Sequence, residues 1–329
     1  MQQERFVQAH RPEWAQLREL LGRLEGRGAG PVQQLPAACR RVSQHLSLAR
    51  TRGYSADLVE ELHELAMRSH QQLYRPRLDP LGGLVALLRT GLPQAVRREW
   101  RLVLLAHLGF YGAFALTWGI VHTWPHQVFS VLDPTVVSGI EEMYDPHSEH
   151  FLRERSSDSD LLMFGFYIWN NIGIGFRTFA SGALLGLGPL VFLSFNGVML
   201  GATFAHLANV GMGSTLYPFA ISHGAFELTA LVLTGAAGSR LGLALVMPGR
   251  YPRSEALRRA ALRALPILQG AGAMLVVAAA LEAFWDPSTW VPVSVKVGGG
   301  ALLWGLVYAW LLLGGRRAPR ALGGPPAPR

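Results

Sequence analysis

At 329 residues, half of them hydrophobic and with a positive mean hydropathy despite a polar first third, the chain is composed for a bilayer rather than for a soluble enzyme. Its net charge of +8 is carried by arginine, with Lys296 the one lysine, and is spread over several segments rather than gathered into a stripe, so nucleic acid is not a predicted partner. Cys39 is the single cysteine, which excludes an intramolecular disulfide and a thiolate metal cluster.

The first ten residues lack the apolar core of a signal peptide, so the start of the chain is expected to stay in the cytosol. Over 1–101 the pattern is helical and soluble. Phe6, His10, Trp14, Leu17 and Leu21 recur at three- and four-residue spacings, and 26–31 then breaks the run. Periodicity resumes over 36–49 and in Leu58, Leu62, Leu65 and Leu73, parted by an Arg52-Gly53-Tyr54-Ser55 turn with Ser55 as the expected cap of the next helix. A cytosolic helical domain is predicted. The apolar piece 81–88 is too short to span; it suits either the membrane interface or the core of that domain.

An all-α, polytopic membrane bundle follows. Six spans are predicted, at 102–121, 161–180, 183–207, 218–246, 265–284 and 295–313. Arg97, Arg98 and Arg101 precede the first, five arginines from Arg250 to Arg263 lie between the fourth and fifth, and Arg316, Arg317 and Arg320 follow the last, which predicts both termini in the cytosol. The region 122–160 is then an external loop, rich in Asp and Glu. Arg177 and Arg240 fall near inner helix ends, where each can snorkel to the interface. A very tight turn at Ser181-Gly182 predicts an antiparallel hairpin of spans two and three. Glycine pairs four apart, Gly182 with Gly186, Gly197 with Gly201 and Gly238 with Gly242, are read as close helix contacts. The proline- and glycine-rich tail, 316–329, is predicted to be disordered.

Polar residues inside these spans are the candidate site. His223 and Glu227 stand four apart on one helix face, in a segment where a charge is expensive to bury. At about 1.5 Å per residue, Asn170, Asn171 and Asn196 fall at a depth similar to Glu227, with His206 and Glu282 nearer the outer rim. A pocket open to the external side and built mainly from spans two, three and four is the expectation. The plainer alternatives are interhelical hydrogen bonds for the asparagines and a protonated, hydrogen-bonded carboxyl for Glu227. A zinc site would need His206 or Asn196 as a third ligand and no HExxH pattern is present, so no metal is predicted. The glycine-rich elements have no following basic phosphate ligand and the serines no nucleophile motif, so neither a nucleotide nor any other cofactor is predicted.

Several stretches together resemble the stage II sporulation protein M family of multi-pass membrane proteins: Phe6 with Trp14, Leu17, Leu20 and Leu21; Leu62-His63-Glu64-Leu65 running to Leu73-Tyr74; Asn170-Asn171; 196–201; and 223–227 with Gly235-Ala236-Ala237-Gly238. The resemblance implies a bacterial inner-membrane protein. It also implies a scaffold or localising role like that of the namesake, which acts with a peptidoglycan-degrading pair, and company such as MoxR-type ATPases. The leading expectation is therefore a non-enzymatic scaffold or coupling component of an envelope complex, in contact with membrane lipids and with membrane-protein or cytosolic ATPase partners, a homo-oligomer being left open. A transporter or channel lined by the polar cluster is the first alternative, and an intramembrane metal-dependent hydrolase using His223 and Glu227 the second.

Overall fold

The computed structural model describes residues 2–27, 35–74, 80–147 and 157–316, and their regular structure is entirely helical. The chain divides into two compact units, Met1–Pro80 and Leu81–Arg329. The predicted break at 26–31, most of the predicted tail and the stretch 148–156 of the acidic loop lie largely or wholly outside the described residues.

The first unit is three helices, α1 (Gln2–Arg27), α2 (Leu35–Thr51) and α3 (Ala56–Tyr74). Their apolar faces meet in one core, with Phe6, Trp14, Leu17 and Leu21 of α1 against Val42 and Ala49 of α2 and Leu58, Leu62 and Leu65 of α3. Ser55 stands just before α3, but its hydroxyl accepts from Gln3 Nε2 at 2.8 Å while its own N–H donates to Gln3 Oε1, so it ties the start of α1 to the α2–α3 turn. His45 is buried in the core, and its Nδ1 accepts from Trp14 Nε1 at 3.1 Å. The His10 ring stacks on it at 4.0 Å between centroids.

The second unit begins with α4 (Pro80–Ala86), a π turn at Leu87–Gly91 and α5 (Leu92–Arg98). Residues 81–101, grouped with the first unit on sequence, therefore belong to the second. The cause is burial. Leu92, Ala95 and Val96 enter the bundle core, Leu92 fills the space a side chain would need at Gly270, and Arg97 donates to the carbonyl oxygens of Leu311 and Leu312. Leu81, Leu84 and Val85 remain exposed, as on an interfacial helix.

The bundle itself comprises α6 (Trp100–Thr123), the short amphipathic α7 (Pro134–Tyr144), α8 (Ser157–Ala180), α9 (Gly188–Asn209), α10 (Gly213–Val246), α11 (Arg253–Ala280, continued by a π turn at Leu281–Trp285) and α12 (Val293–Leu313). By length and composition α6, α9, α10, α11 with its π turn, and α12 can each cross a membrane. Helix α8 has the length, but Asn170, Asn171 and Arg177 dilute its apolar run and leave it outside that set of five. It nonetheless packs along α10 and α11 as a sixth bundle member. Helix α10 is central: 67% of its apolar window is buried, against 22% in α6 and in α12, whose outer faces carry Leu104, Leu108, Leu302 and Leu306 as a lipid-facing surface would.

Glycine sets the closest approaches. A Cβ at Gly201 would stand 2.5 Å from the Phe114 carbonyl oxygen, and one at Gly197 would collide with that of Phe110, so α9 and α6 touch backbone to backbone. On the other side Gly238 meets Phe179 and Gly182, while Gly242 meets Gly182 and Gly186. The link from α8 to α9 is a 3-10 turn at Ser181–Ala183 and a further bend in which Gly186 takes φ +80°, a conformation that favours glycine.

Two outcomes test this packing. Gly201→Leu should destabilise the detergent-solubilised protein by at least about 1–3 kcal/mol, because the neighbouring backbone cannot yield, whereas Gly112→Ala, with nothing within 4 Å, should leave thermal unfolding unchanged. In the first unit burial, followed by the nearby His10, lowers the pKa of His45 from 6.5. The unfolded chain then takes up a proton at higher pH than the folded one, so stability is complete above about 6.5 and declines as pH falls below it. Amide protection in α1–α3 of the full-length protein, corrected for intrinsic exchange, should drop between pH 7.5 and 5.5. That response should vanish in His45→Gln, which keeps an acceptor for Trp14 without titrating.

Candidate functional site

A group of charged and amide side chains gathers toward one end of the bundle interior, and its centre is a pair that no single helix contains. His223 of α10 meets Asp286, just past the π turn that ends α11, with Nδ1 and Oδ2 at 2.7 Å. Asp286 is fully enclosed. With Asp286 ionised, that geometry places a proton on His223 Nδ1 as donor. On the other side of the ring His223 Nε2 lies 3.9 Å from Glu227 Oε2, one helical turn along α10, so the two residues share a face as their spacing requires.

The π turn matters because one extra residue per turn rotates the side chains that follow it. Glu282 lies inside it and accepts from Asn171 Nδ2 of α8 at 3.4 Å, while Asn170 donates to Asn171 Oδ1 at 3.1 Å. Lys296, in the first turn of α12, is buried and donates to the carbonyl oxygens of Asp286 at 2.6 Å and Ser288 at 2.7 Å. It caps the C-terminal end of α11, where a cation suits the helix dipole, and adds positive charge beside Asp286. Asp286 Oδ1 and the Ser222 hydroxyl are buried with no hydrogen-bond partner.

Above the cluster sits α7. Its Tyr144 packs on Phe219, which in turn packs on the His223 ring, with centroids 6.1 and 5.5 Å apart. Burial, then the fields of Glu282, Tyr167 and Glu227, pushes the Tyr144 phenol well above its ordinary value. A pocket of about 340 Å³ lies beside it, lined by Pro146, Ser214, Thr215, Pro218, Phe219 and Val293 and reaching Lys296 and the wall around Asp286.

The structure thus brings Asn170, Asn171, His223, Glu227 and Glu282 into one neighbourhood built from α8, α10 and α11, with α12 supplying Lys296. Asn196 is not tied to it, since its amide donates to Phe192 O of its own helix at 2.7 Å. The reason is rotational: Gly197 and Gly201 turn the adjoining face of α9 onto α6, so similar depth does not become contact. His206 is also elsewhere, its Nε2 2.6 Å from Glu141 Oε1 of α7, a contact that fixes the acidic segment over the end of α9. Neither residue can complete a metal site with His223 and Glu227 in this arrangement. Arg240 meets Glu99 at 3.7 Å, and Arg177 bonds the Gly173 carbonyl of its own helix.

Asp286, Lys296 and Tyr144 were not selected by sequence reasoning. A usable signal existed for Lys296, the chain's one lysine and placed at the head of an apolar helix.

Among the described residues, one set of three His, Cys, Asp or Glu has ligand atoms within 4.8 Å of one another: His10, Glu13 and His45 in the first unit. The hydrogen bond from Trp14 occupies His45 Nδ1 and leaves the proton of the neutral ring on Nε2, so His45 has no free lone pair to offer. The donor set does not fit a metal as it stands.

A helical unit joined to a polytopic bundle with an interior histidine–carboxylate cluster defines a class of multi-pass membrane protein. Residues 103–287 match stage II sporulation protein M, and the chain belongs to that family. Residues 4–75 match a domain of unknown function (DUF8413) that covers nearly all of the three-helix unit. Comparison with curated proteins and with solved structures gave no match.

Removing one member of a buried pair strands the other, so His223→Ala should lower unfolding free energy in detergent by about 3–5 kcal/mol. The double variant with Asp286→Ala should lose clearly less than the two single losses added together. Asn196→Ala, which breaks only a bond within its own helix, should stay within about 0.5 kcal/mol of the parent. Chemical or thermal unfolding of the four forms and the comparison variant in one detergent checks all three.

Proposed function

We propose that the chain is a non-enzymatic scaffold or coupling component of an envelope or cell-wall-associated complex in a bacterial inner membrane. In this reading the three-helix unit faces the cytosol and recruits a soluble partner such as an ATPase, and the bundle engages membrane or external components. Arginines before α6, between α10 and α11 and after α12 support a cytosolic position for both termini, with α8 counted as a crossing alongside the five apolar helices. The acidic segment carrying α7 is then external.

The observation that carries the reading is what lies beyond the polar cluster. On α10 every residue from Thr229 to Ser239 is buried, and no ionisable residue occurs between Glu227 and Arg240, a distance of about 20 Å along the helix. Leu193, Leu231, Val232, Leu233, Ile267 and Leu275 fill the bundle alongside it. An enclosed group of charges backed by a tightly packed segment without ionisable residues suits a latch that holds helix ends in one arrangement. Thr229, Thr234 and Ser239 are the polar side chains in that stretch, and a proton path would need ionisable groups to continue.

One observation favours a second reading, a proton or cation transporter: three carboxylates, Glu227, Glu282 and Asp286, converge near one imidazole beside a pocket. Two measurements separate the readings. Affinity capture of the full-length protein from gently solubilised membranes should recover the same envelope or ATPase proteins in repeated preparations, and a chain that purifies alone would count against the scaffold. Proteoliposomes should show no proton or cation flux under an imposed gradient, and Glu227→Gln should behave as the parent; a flux lost in that variant would favour the transporter.

A further inference from the structure

At the opposite end of α10 from the polar cluster, where that helix stops at Val246 and α11 starts at Arg253, lies a pocket of about 470 Å³. Its wall is basic. Arg240, Arg250, Arg259 and Arg263 line it, from two helices and the link between them. Its remaining surface includes Leu243 and Ala244 in the last turn of α10 and the exposed Met247 just past it.

Four guanidinium groups repel one another unless each has a partner, and the partners present are too few. Arg259 is committed: it donates to Glu255 at 2.6 Å and to the Tyr251 hydroxyl at 2.9 Å, and it lies over the Tyr251 ring at 4.0 Å. Glu255 is shared with Arg258. The Arg240 Nε stands 3.7 Å from Glu99, which also faces Arg98, and that nitrogen is buried with no hydrogen-bond partner. Among the described residues, the side chains of Arg250 and Arg263 have neither a hydrogen bond nor an ion pair, although both border the cavity. The pocket therefore holds a surplus of planar, fork-shaped donors suited to phosphate oxygens.

We propose that this pocket binds the phosphate-bearing headgroup of an anionic glycerophospholipid, with its acyl chains lying along the Leu243 and Ala244 side of α10. Position and chemistry both favour a lipid over a free phosphate. The cavity sits where two span-capable helices leave the bilayer, the depth at which headgroups lie, and basic pockets between transmembrane helices recognise such groups. Its apolar side has no use for an inorganic ion. The proposal requires only that α10 and α11 cross a membrane, so it stands whether the protein acts as a scaffold or as a transporter.

Native mass spectrometry of delipidated full-length protein, titrated with phosphatidylglycerol or phosphatidylcholine, tests it. Phosphatidylglycerol should be retained in clear preference to phosphatidylcholine, and Arg250→Gln combined with Arg263→Gln should weaken that retention about 30-fold. Both arginines are exposed and unpaired, so the double variant should fold and unfold as the parent does. Arg253→Gln, exposed and outside the pocket wall, should retain the lipid. Equal retention of the two lipids, or undiminished binding in the double variant, would overturn the proposal. Thermal stabilisation by sodium phosphate equal to that by phosphatidylglycerol would assign the pocket to a soluble phosphate and overturn it as well.

Discussion

A carboxylate taken out of water must find a partner or lose its charge, and Asp286, with no exposed surface, is the residue on which that constraint falls hardest. Its partner is His223, and the contact can form only if the end of α11 lies against the first third of α10. The π turn at Leu281–Trp285 delivers Asp286 to that place and turns Glu282 toward α8. Lys296 then holds the backbone of the same corner from α12. Three connections, from α10, α8 and α12 to the end of α11, thus converge on the corner that holds this desolvated pair.

The two sides of α10 solve different packing problems with different residues. Toward its start, where the polar cluster lies, side chains are large and hydrogen-bonded, and helices are held by directional contacts. Farther along, Gly238 and Gly242 let α10 approach the α8–α9 link so closely that backbone atoms alone fill the interface. Such contacts gain dispersion energy without needing polar partners, which suits the fully buried stretch from Thr229 to Ser239 that carries no ionisable residue. Helix α9 repeats the device against α6 through Gly197 and Gly201.

How much of this was legible depends on the distance over which the cause operates. Apolar length gave the bundle helices, and three- and four-residue periodicity gave α1 to α3, because both depend on neighbours in the chain. Spacing placed His223 and Glu227 on one face for the same reason. The Asp286 contact joins residues 63 positions apart through a π turn that no local pattern marks, and it stayed hidden. Depth alone put Asn196 beside the cluster, but depth leaves the rotation of a helix undefined, and the glycine face of α9 sets that rotation. The segment 81–101 groups with the first unit on sequence because its apolar run is too short to span and arginines follow it; its burial is decided by α11 and α12, far away in sequence.

The apolar length between the two charged ends of α10 also bears on what the cluster can do. Moving an uncompensated charge through a low-dielectric interior costs at least several kcal/mol even after local relaxation, and about 20 Å of α10 offers no ionisable side chain to lessen it. A rearrangement that opened such a route would have to separate helices joined by backbone contact at Gly238 and Gly242, forfeiting packing that no side chain could replace. By contrast, small displacements of α7, α11 and α12 at the other end would alter only the surroundings of His223 and Asp286. Physical asymmetry therefore favours events at the polar end, where Tyr144 and the neighbouring pocket meet the acidic segment, over traffic through the middle of the bundle.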